Sequence, residues 1–275
     1  MNLSLQDQVA VIIGAASGIG RAIAEAFAAE GASVGLIDRS PEVEAVAREI
    51  SEKHAVACRG EIADVASENS VNQAATSLQA TQGNTSHVVF TAGIGSGKFG
   101  FPFTRLDPED WRRVLDVNVM GAVHVAHAFA PQLIASAENA PELGATMLFL
   151  VSVAGQIGSQ TDPPYSAAKA AQINFAQCLA RDLAPHGVRV NSLSPGMVRT
   201  PLNESVWAAS QATLPESERC DYPTWAEEKI RRVSPLGRWQ EPAEFGSAAV
   251  FLASPLARNI TGQTLNIDGG QVMHS

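Results

Sequence analysis

Positive charge is scarce in this chain: 19 Lys and Arg stand against 28 Asp and Glu, a net charge of -9. An acidic surface repels phosphate backbones and anionic bilayers, so neither nucleic acid nor membrane is an expected partner. Charge of either sign makes up only 17% of the residues, below the roughly 25% of an ordinary soluble domain, while 45% are hydrophobic. Cysteine is nearly absent. Cys58, Cys178 and Cys220 are odd in number and far apart, with no CxxC pair. That pattern excludes a disulfide framework and a zinc site, and makes a reducing compartment the simplest setting. The first residues, MNLSLQDQVAVIIG, hold no basic segment, and their apolar run is too short for a signal or a membrane span. The expected location is cytoplasmic. No repeat, low-complexity tract or linker divides the chain.

What is present is an alternation. Short apolar runs recur between longer helical patterns: QVAVII at 8–13, ASVGLI at 32–37, AVAC at 55–58, HVVFT at 87–91, ATMLFLV at 145–151, VRVNSL at 188–193 and TLNI at 264–267. Runs that are apolar without alternating suit strands covered on both faces, as in a parallel sheet. The segments between them have the length of right-handed crossovers. One helix start is explicit, with Asp107 as N-cap, Pro108 at the first helical position, and Glu109 and Asp110 in the first turn. The prediction is a single α/β domain over 1–275, a doubly wound parallel sheet of about seven strands with helices on both faces. Residues 197–232 break the rhythm, and a segment that long inside a compact domain is expected to be functional.

The stretch GAASGIG places Gly14, Gly18 and Gly20 directly after the first strand, heading a helix that runs to about Glu30. Glycine there keeps the turn tight, lets backbone approach a pyrophosphate, and lets helix and strand close up. The helix N-terminus offers amide hydrogens to phosphate. Asp38 ends the second strand, where a carboxylate accepts both ribose hydroxyls of NAD and repels the 2′-phosphate of NADP. NAD is therefore expected over NADP. Arg39 beside it is a natural phosphate partner, but as a lone residue it reads as a solvated loop cation.

In YSAAK, Tyr165 and Lys169 stand four apart and share a helix face. They follow Ser152, which ends the fifth strand in LVSVAG, and open α/β sheets bind ligands at the carboxyl ends of their strands. Asn118, polar among the apolar residues of DVNVMGA, is either a satisfied core amide or part of a site. SPGMVRT at 194–200 adds a Pro-Gly turn at the same edge. His124 and His127 lack an acidic or cysteine companion and read as packing residues, so no metal is expected.

With these elements in order, the chain resembles the short-chain dehydrogenase/reductase family over essentially its whole length. The resemblance is carried by GAASGIG, Asp38, TAG at 91–93, Asn118, Ser152, YSAAK, PGMVRT and NITGQTLNIDGG. It implies a Rossmann fold, a nicotinamide cofactor, a homotetramer, a lid at about 197–232 over a small-molecule substrate, and a catalytic tetrad of Asn118, Ser152, Tyr165 and Lys169. It implies cofactor contacts from Gly14, Ser17, Gly18, Ile19, Gly20, Asp38, Glu61 and Ile62. Further contacts would come from Ala92, Gly93, Tyr165, Lys169, Pro195, Gly196, Val198 and Thr200. The chain departs from the common pattern at Ile13, at Phe90 and Thr91, and at Glu61, positions that buttress the loop or flank the adenine.

By the same resemblance Tyr165 is the general acid/base, Ser152 anchors the substrate oxygen, Lys169 lowers the phenol and holds ribose, and Asn118 holds a water relay. A phenol titrating near 10 has to be brought toward neutrality, and Lys169 with the positive nicotinamide ring is the expected cause. Trp207 and Trp225 in the lid suggest a substrate with an apolar or cyclic part. The expected function is hydride transfer between a nicotinamide cofactor and a secondary alcohol or ketone. A 3-ketoacyl thioester reductase and a non-catalytic NAD-binding sensor stand as alternatives.

Overall fold

In the computed structural model, which describes residues 2–98, 103–158, 162–199, 201–212 and 214–273, the apolar runs become strands. They are β1 (Val9–Ile13), β2 (Ser33–Asp38), β3 (Cys58–Ile62), β4 (His87–Phe90), β5 (Ala145–Leu150), β6 (Val188–Pro195) and β7 (Thr264–Ile267). The helices are α1 (Gly18–Ala29), α2 (Glu42–His54), α3 (Glu68–Gln82), α4 (Pro108–Leu115), α5 (Gly121–Asn139), α6 (Pro163–Leu183), α7 (Pro201–Ala212), α8 (Tyr222–Val233) and α9 (Pro242–Ala253).

All seven strands pair in parallel, in the order β3-β2-β1-β4-β5-β6-β7. The chain winds outward from β1 to β3, returns to lay β4 on the other side of β1, and winds outward again to β7. Where the winding reverses, between β1 and β4, crossovers leave in opposite directions and a crevice opens at the carboxyl ends of the strands.

Strand parity explains why the runs are apolar throughout. Along β1, Ala10 and Ile12 join the core beneath α1, α2 and α9 with Phe27, Leu36 and Phe245. Val11 and Ile13 join the opposite core beneath α3, α5 and α6 with Phe90, Phe129 and Phe149. Each of these large side chains is fully buried, which contributes about 2 kcal/mol apiece before the entropy of ordering is counted.

The third strand differs from the expectation. Of AVAC at 55–58 only Cys58 enters the strand, and Ala55, in the left-handed region at φ 55°, is the C-cap of α2. The strand itself is CRGEI, at the edge of the sheet, where partial exposure removes the need for an apolar run. The predicted start of α4 is as expected, Asp107 N–H donating to the Asp110 carboxylate at 2.9 Å. α4 passes into α5 through one π-helical turn, Asp116–Met120. The whole run Pro108–Asn139 has the length and apolarity to cross a bilayer, but it is packed along the sheet with Val114, Asn118, Phe129 and Leu133 buried.

Candidate active site

Backbone turns sharply as β1 ends. Gly14 has φ +86°, and a Cβ on it would lie 2.6 Å from the Ala92 nitrogen in the loop after β4. A Cβ on Gly20 would lie 2.1 Å from the Gly14 carbonyl oxygen, so α1 closes on the turn only because both are glycine. At the head of α1, Ser17 makes no side-chain cap and the first turn holds no acidic residue. Its free amides suit an anion, which is the donor set that a dinucleotide's pyrophosphate needs.

The two Asp38 oxygens are both engaged, accepting from Ala16 N–H and from Ser40 N–H, each at 3.0 Å. Asp38 thus staples the end of β2 to the glycine loop. Arg39 is exposed and lines the same cavity.

That cavity, of about 700 Å³, runs along the carboxyl ends of β2, β1, β4, β5 and β6. Of the residues singled out from sequence, it is lined by Gly14, Ser17, Ile19, Gly20, Asp38, Ala92, Gly93, Ser152, Tyr165, Lys169, Pro195, Gly196 and Val198. Gly18 sits between two of them at φ 58°. Glu61 and Ile62 are not brought to it: Glu61 pairs with Arg59 and accepts from the Ser77 hydroxyl, both at 2.7 Å, and Ile62 is exposed. Ala63 and Asp64, immediately downstream of β3, reach the cavity instead. Thr200 lies outside the described residues.

At the chemical end, Ser152 leaves β5 and its hydroxyl both accepts from Ala154 N–H at 3.2 Å and hydrogen-bonds Tyr165. Gly155 lets this loop lie on α6, since a Cβ there would stand 2.7 Å from the Lys169 carbonyl carbon. Lys169 is 3% exposed. Its Nζ lies 5.5 Å from the centre of the Tyr165 ring and donates to the Leu150 carbonyl at 2.7 Å. Burial pushes this ammonium down to about 7. Burial also pushes the Tyr165 phenol up to about 12; the Ser152 hydrogen bond opposes the rise and the Asp162 charge adds to it. A phenol drawn toward neutrality is therefore not what the chain's own groups produce. They hold a protonated phenol beside an ammonium close to its titration point.

Asn118 lies in the π turn, fully buried behind the cavity wall; π turns are common at functional sites. Its side chain accepts from Ile94 N–H at 3.0 Å and donates to the Ile94 carbonyl at 2.8 Å. This shapes the loop after β4, where Gly93 has no room for a Cβ, 2.6 Å from Asn118 Oδ1. The Asn118 carbonyl accepts from Gln172 Nε2 at 2.6 Å.

Two residues here escaped the sequence reading. Gln172 follows Lys169 by three positions, so a polar residue on the buried face of α6 was its only signal. Asp162 lies just ahead of two prolines at the start of α6, where an acidic residue reads as an ordinary helix cap.

In the segment 197–232, Asn203 and Val206 of α7 and Lys229 and Arg232 of α8 line the cavity. The tryptophans do not. Trp207, Tyr222, Trp225 and Trp239 touch in a chain, the first pair edge-on and the others tilted, with ring centres 5.9, 6.0 and 6.5 Å apart, joining α7 to α8. The two tryptophans of the segment hold it together rather than face a substrate. His124 is matched with the Val65 carbonyl at 2.9 Å, in keeping with a packing role.

A family model described as "Enoyl-(Acyl carrier protein) reductase" matches residues 14–272. The chain is 35% identical over 269 residues to galactitol 2-dehydrogenase (L-tagatose-forming) of Cereibacter sphaeroides, covering 97% of this chain and 95% of that protein. It is 32% identical over 271 residues to 3-oxoacyl-(acyl-carrier-protein) reductase FabG of Aquifex aeolicus (strain VF5), covering 98% and 99%. The crystal structure of L-sorbose reductase from Gluconobacter frateurii, complexed with NADPH and L-sorbose, matches with a TM-score of 0.89 at 29% identity over 100% of both chains.

The expectation of NAD is corrected by these relatives. Five similar solved structures, the sorbose reductase twice among them, hold NADPH or NADP. The physical reason lies in Asp38 and Arg39. Asp38 keeps its charge while accepting from two backbone amides, so the residue that fits a 2′-phosphate is Arg39, which presents a cation to the same cavity.

Proposed function

Because the chain belongs to the short-chain dehydrogenase/reductase family, we propose that Asn118, Ser152, Tyr165 and Lys169 make this cavity the site of an NADP(H)-dependent ketone reductase or alcohol dehydrogenase. The chain is an oxidoreductase that uses a nicotinamide cofactor on an alcohol, ketone or sugar. What supports the assignment of these residues is the meeting of Ser152, Tyr165 and Lys169 on the cavity that begins at the glycine loop.

The glycine loop and the uncapped start of α1 would hold the pyrophosphate, Arg39 the 2′-phosphate, and Lys169 the ribose. When bound, the cofactor supplies or accepts the hydride. In reduction, the Tyr165 hydroxyl gives its proton to the ketone oxygen as that oxygen becomes an alkoxide, and Ser152 donates a hydrogen bond to the same oxygen. Lys169, poised near neutrality, returns a proton toward the phenolate. Oxidation runs the same transfers backwards. The segment 197–232 closes the substrate end as a lid. A cytoplasmic homotetramer is the assembly we favour, supported by the exposed alanines of α6, Ala167, Ala170 and Ala171, and by exposed Leu265 on β7.

The test is NADPH consumption followed by absorbance on a panel of ketoses, simple ketones and an acetoacetyl thioester. Turnover of ketoses or ketones supports the reading. Binding of NADPH with no turnover of any of them overturns it.

A further inference from the structure

Two cations on the cavity wall have no task in the chemistry above. In a chain of net charge -9, Lys229 and Arg232 line the cavity together with Val233, all three from one face of α8. Neither cation belongs to an ion pair or donates a hydrogen bond among the described residues. The acids of their own helix do not serve them: Glu227 pairs with Arg231, and no ion pair joins Glu228 to Arg232 across one turn. The acids that line the cavity, Asp38, Asp64 and Asp162, accept instead from backbone amides, those of Ala16 and Ser40, of Ala66, and of Ser96.

Both charges are open to an occupant. Arg232 is exposed, and the Lys229 nitrogen, though half-buried, is not shut off from solvent. That nitrogen lies 4.2 Å from the centre of the Trp225 ring, a contact that leaves its charge in place and its N–H groups unbonded. Burial and the Arg232 charge push the ammonium down to about 8, so it still holds its proton at neutral pH. Two like charges side by side with no acid between them repel, and an anion set against both relieves that repulsion. In the reading above the cofactor's phosphates are already provided for, the pyrophosphate by the start of α1 and the 2′-phosphate by Arg39. The counter-charge is left to the substrate, over which α8 lies beside Asn203 and Val206 of α7.

We propose that Lys229 and Arg232 are specificity-determining residues that hold an anionic group of the substrate, selecting ketones and alcohols that carry a carboxylate away from the reacting carbon. The inference rests on the oxidoreductase reading of the site and narrows its substrate class. A guanidinium can take a carboxylate through two parallel N–H bonds and an ammonium can add another, so a neutral analogue of the same shape forfeits the charge-assisted bonds.

The experiment compares kcat/KM with NADPH for two matched pairs, acetoacetate against acetoacetamide and levulinate against levulinamide, in the native protein and in the double variant Lys229→Met, Arg232→Gln. Each amide has the shape of its acid without the charge. Methionine keeps a long apolar stem on Trp225, and Arg232 stands at an exposed helix position, so neither change opens the core. Comparing the acid-to-amide ratio between native protein and variant removes the intrinsic reactivity of each ketone. The ratio is expected to fall by about 10-fold or more in the variant for at least one pair. A ratio unmoved in both pairs, or native reduction of neutral ketones but of neither acid, overturns the inference and spares the oxidoreductase reading. An equal loss on acids and amides, with weaker NADPH binding by fluorescence titration, gives the two cations to a cofactor phosphate and overturns it as well. No reduction of any ketone by the native protein overturns both. Arg232→Gln alone is read the same way should the double variant fail to give a native melting curve.

Discussion

The Gln172 side chain donates to the Asn118 carbonyl across 2.6 Å, tying the π turn between α4 and α5 to the helix that carries Tyr165 and Lys169. Gln172 is 1% exposed and its Oε1 has no partner, so stability alone does not explain its choice. Gln172→Leu removes the unpartnered Oε1 but also the donor to the buried Asn118 carbonyl, so folding is expected to lose about 1–3 kcal/mol. NADPH affinity should stay close to native while kcat falls about 10- to 100-fold, because the two halves of the site lose their mutual register. Steady-state kinetics beside a melting curve decide it; an unchanged kcat would make the contact ornamental.

Tyr165→Phe removes the proton that the ketone oxygen needs and little of the ring's packing. Turnover is expected to drop by roughly 100- to 10,000-fold, the usual worth of a positioned acid or base. NADPH binding, read by fluorescence titration, should survive. Comparable losses of binding and turnover would instead assign Tyr165 to the cofactor.

Gly155 tests how tightly the loop after β5 must lie on α6. Its Cβ position is 2.7 Å from the Lys169 carbonyl carbon and 2.8 Å from the Ala170 nitrogen, both backbone atoms that cannot swing aside. Gly155→Ala is expected to cost about 1–3 kcal/mol of stability as the loop is pushed off the helix. Activity should fall as well, since Ser152 rides on that loop. A urea titration with parallel kinetics would register both, and a native-like result in either would show the loop to be compliant.

Much of this was legible in the sequence because parallel strands buried on both faces leave apolar runs, and β1, β2, β4, β5 and β6 all did so, while β7, half-exposed at one edge, showed only the short TLNI. β3 did not, since an edge strand with Arg59 and Glu61 leaves no such run. The glycine loop and the spacing of Tyr165 and Lys169 are local facts, which one stretch of chain can display. The engagement of Asp38 by Ala16 and Ser40, the edge-on contact of Trp207 with Tyr222, and the bond from Gln172 to Asn118 are contacts made after folding. Weighing the Asp38 carboxylate above the Arg39 guanidinium was the step that led to NAD.

Arg39 follows directly from that correction. If it is the cation that receives the 2′-phosphate, Arg39→Ala should weaken NADPH by about 10-fold or more and leave NADH within a small factor. Paired titrations with the two cofactors measure it. Equal weakening of both would move the discrimination to another residue of the cavity.

Lys169 makes a prediction about pH that needs no substrate. Its ammonium titrates near 7 in the folded chain against an ordinary 10.5. Below pH 7 both folded and unfolded chains carry the proton, and folding bears the full cost of burying the charge. Between 7 and 10.5 the unfolded chain still holds the proton that the folded chain has released, so stability rises with pH by up to about 1.4 kcal/mol per unit. Cys58 and Tyr165, whose burial raises both to about 12, act in the opposite sense, losing stability as the pH climbs past their ordinary values of 9 and 10. Lys229, lowered to about 8, adds to the rise. The difference between the native protein and Lys169→Met isolates the one group, and from pH 7 to pH 9 the native protein should gain about 2 kcal/mol on the variant. Urea midpoints at several pH values without added cofactor would show the gain. Parallel curves would mean that Lys169 keeps its proton in the folded chain, and that Tyr165 works beside a full positive charge at neutral pH.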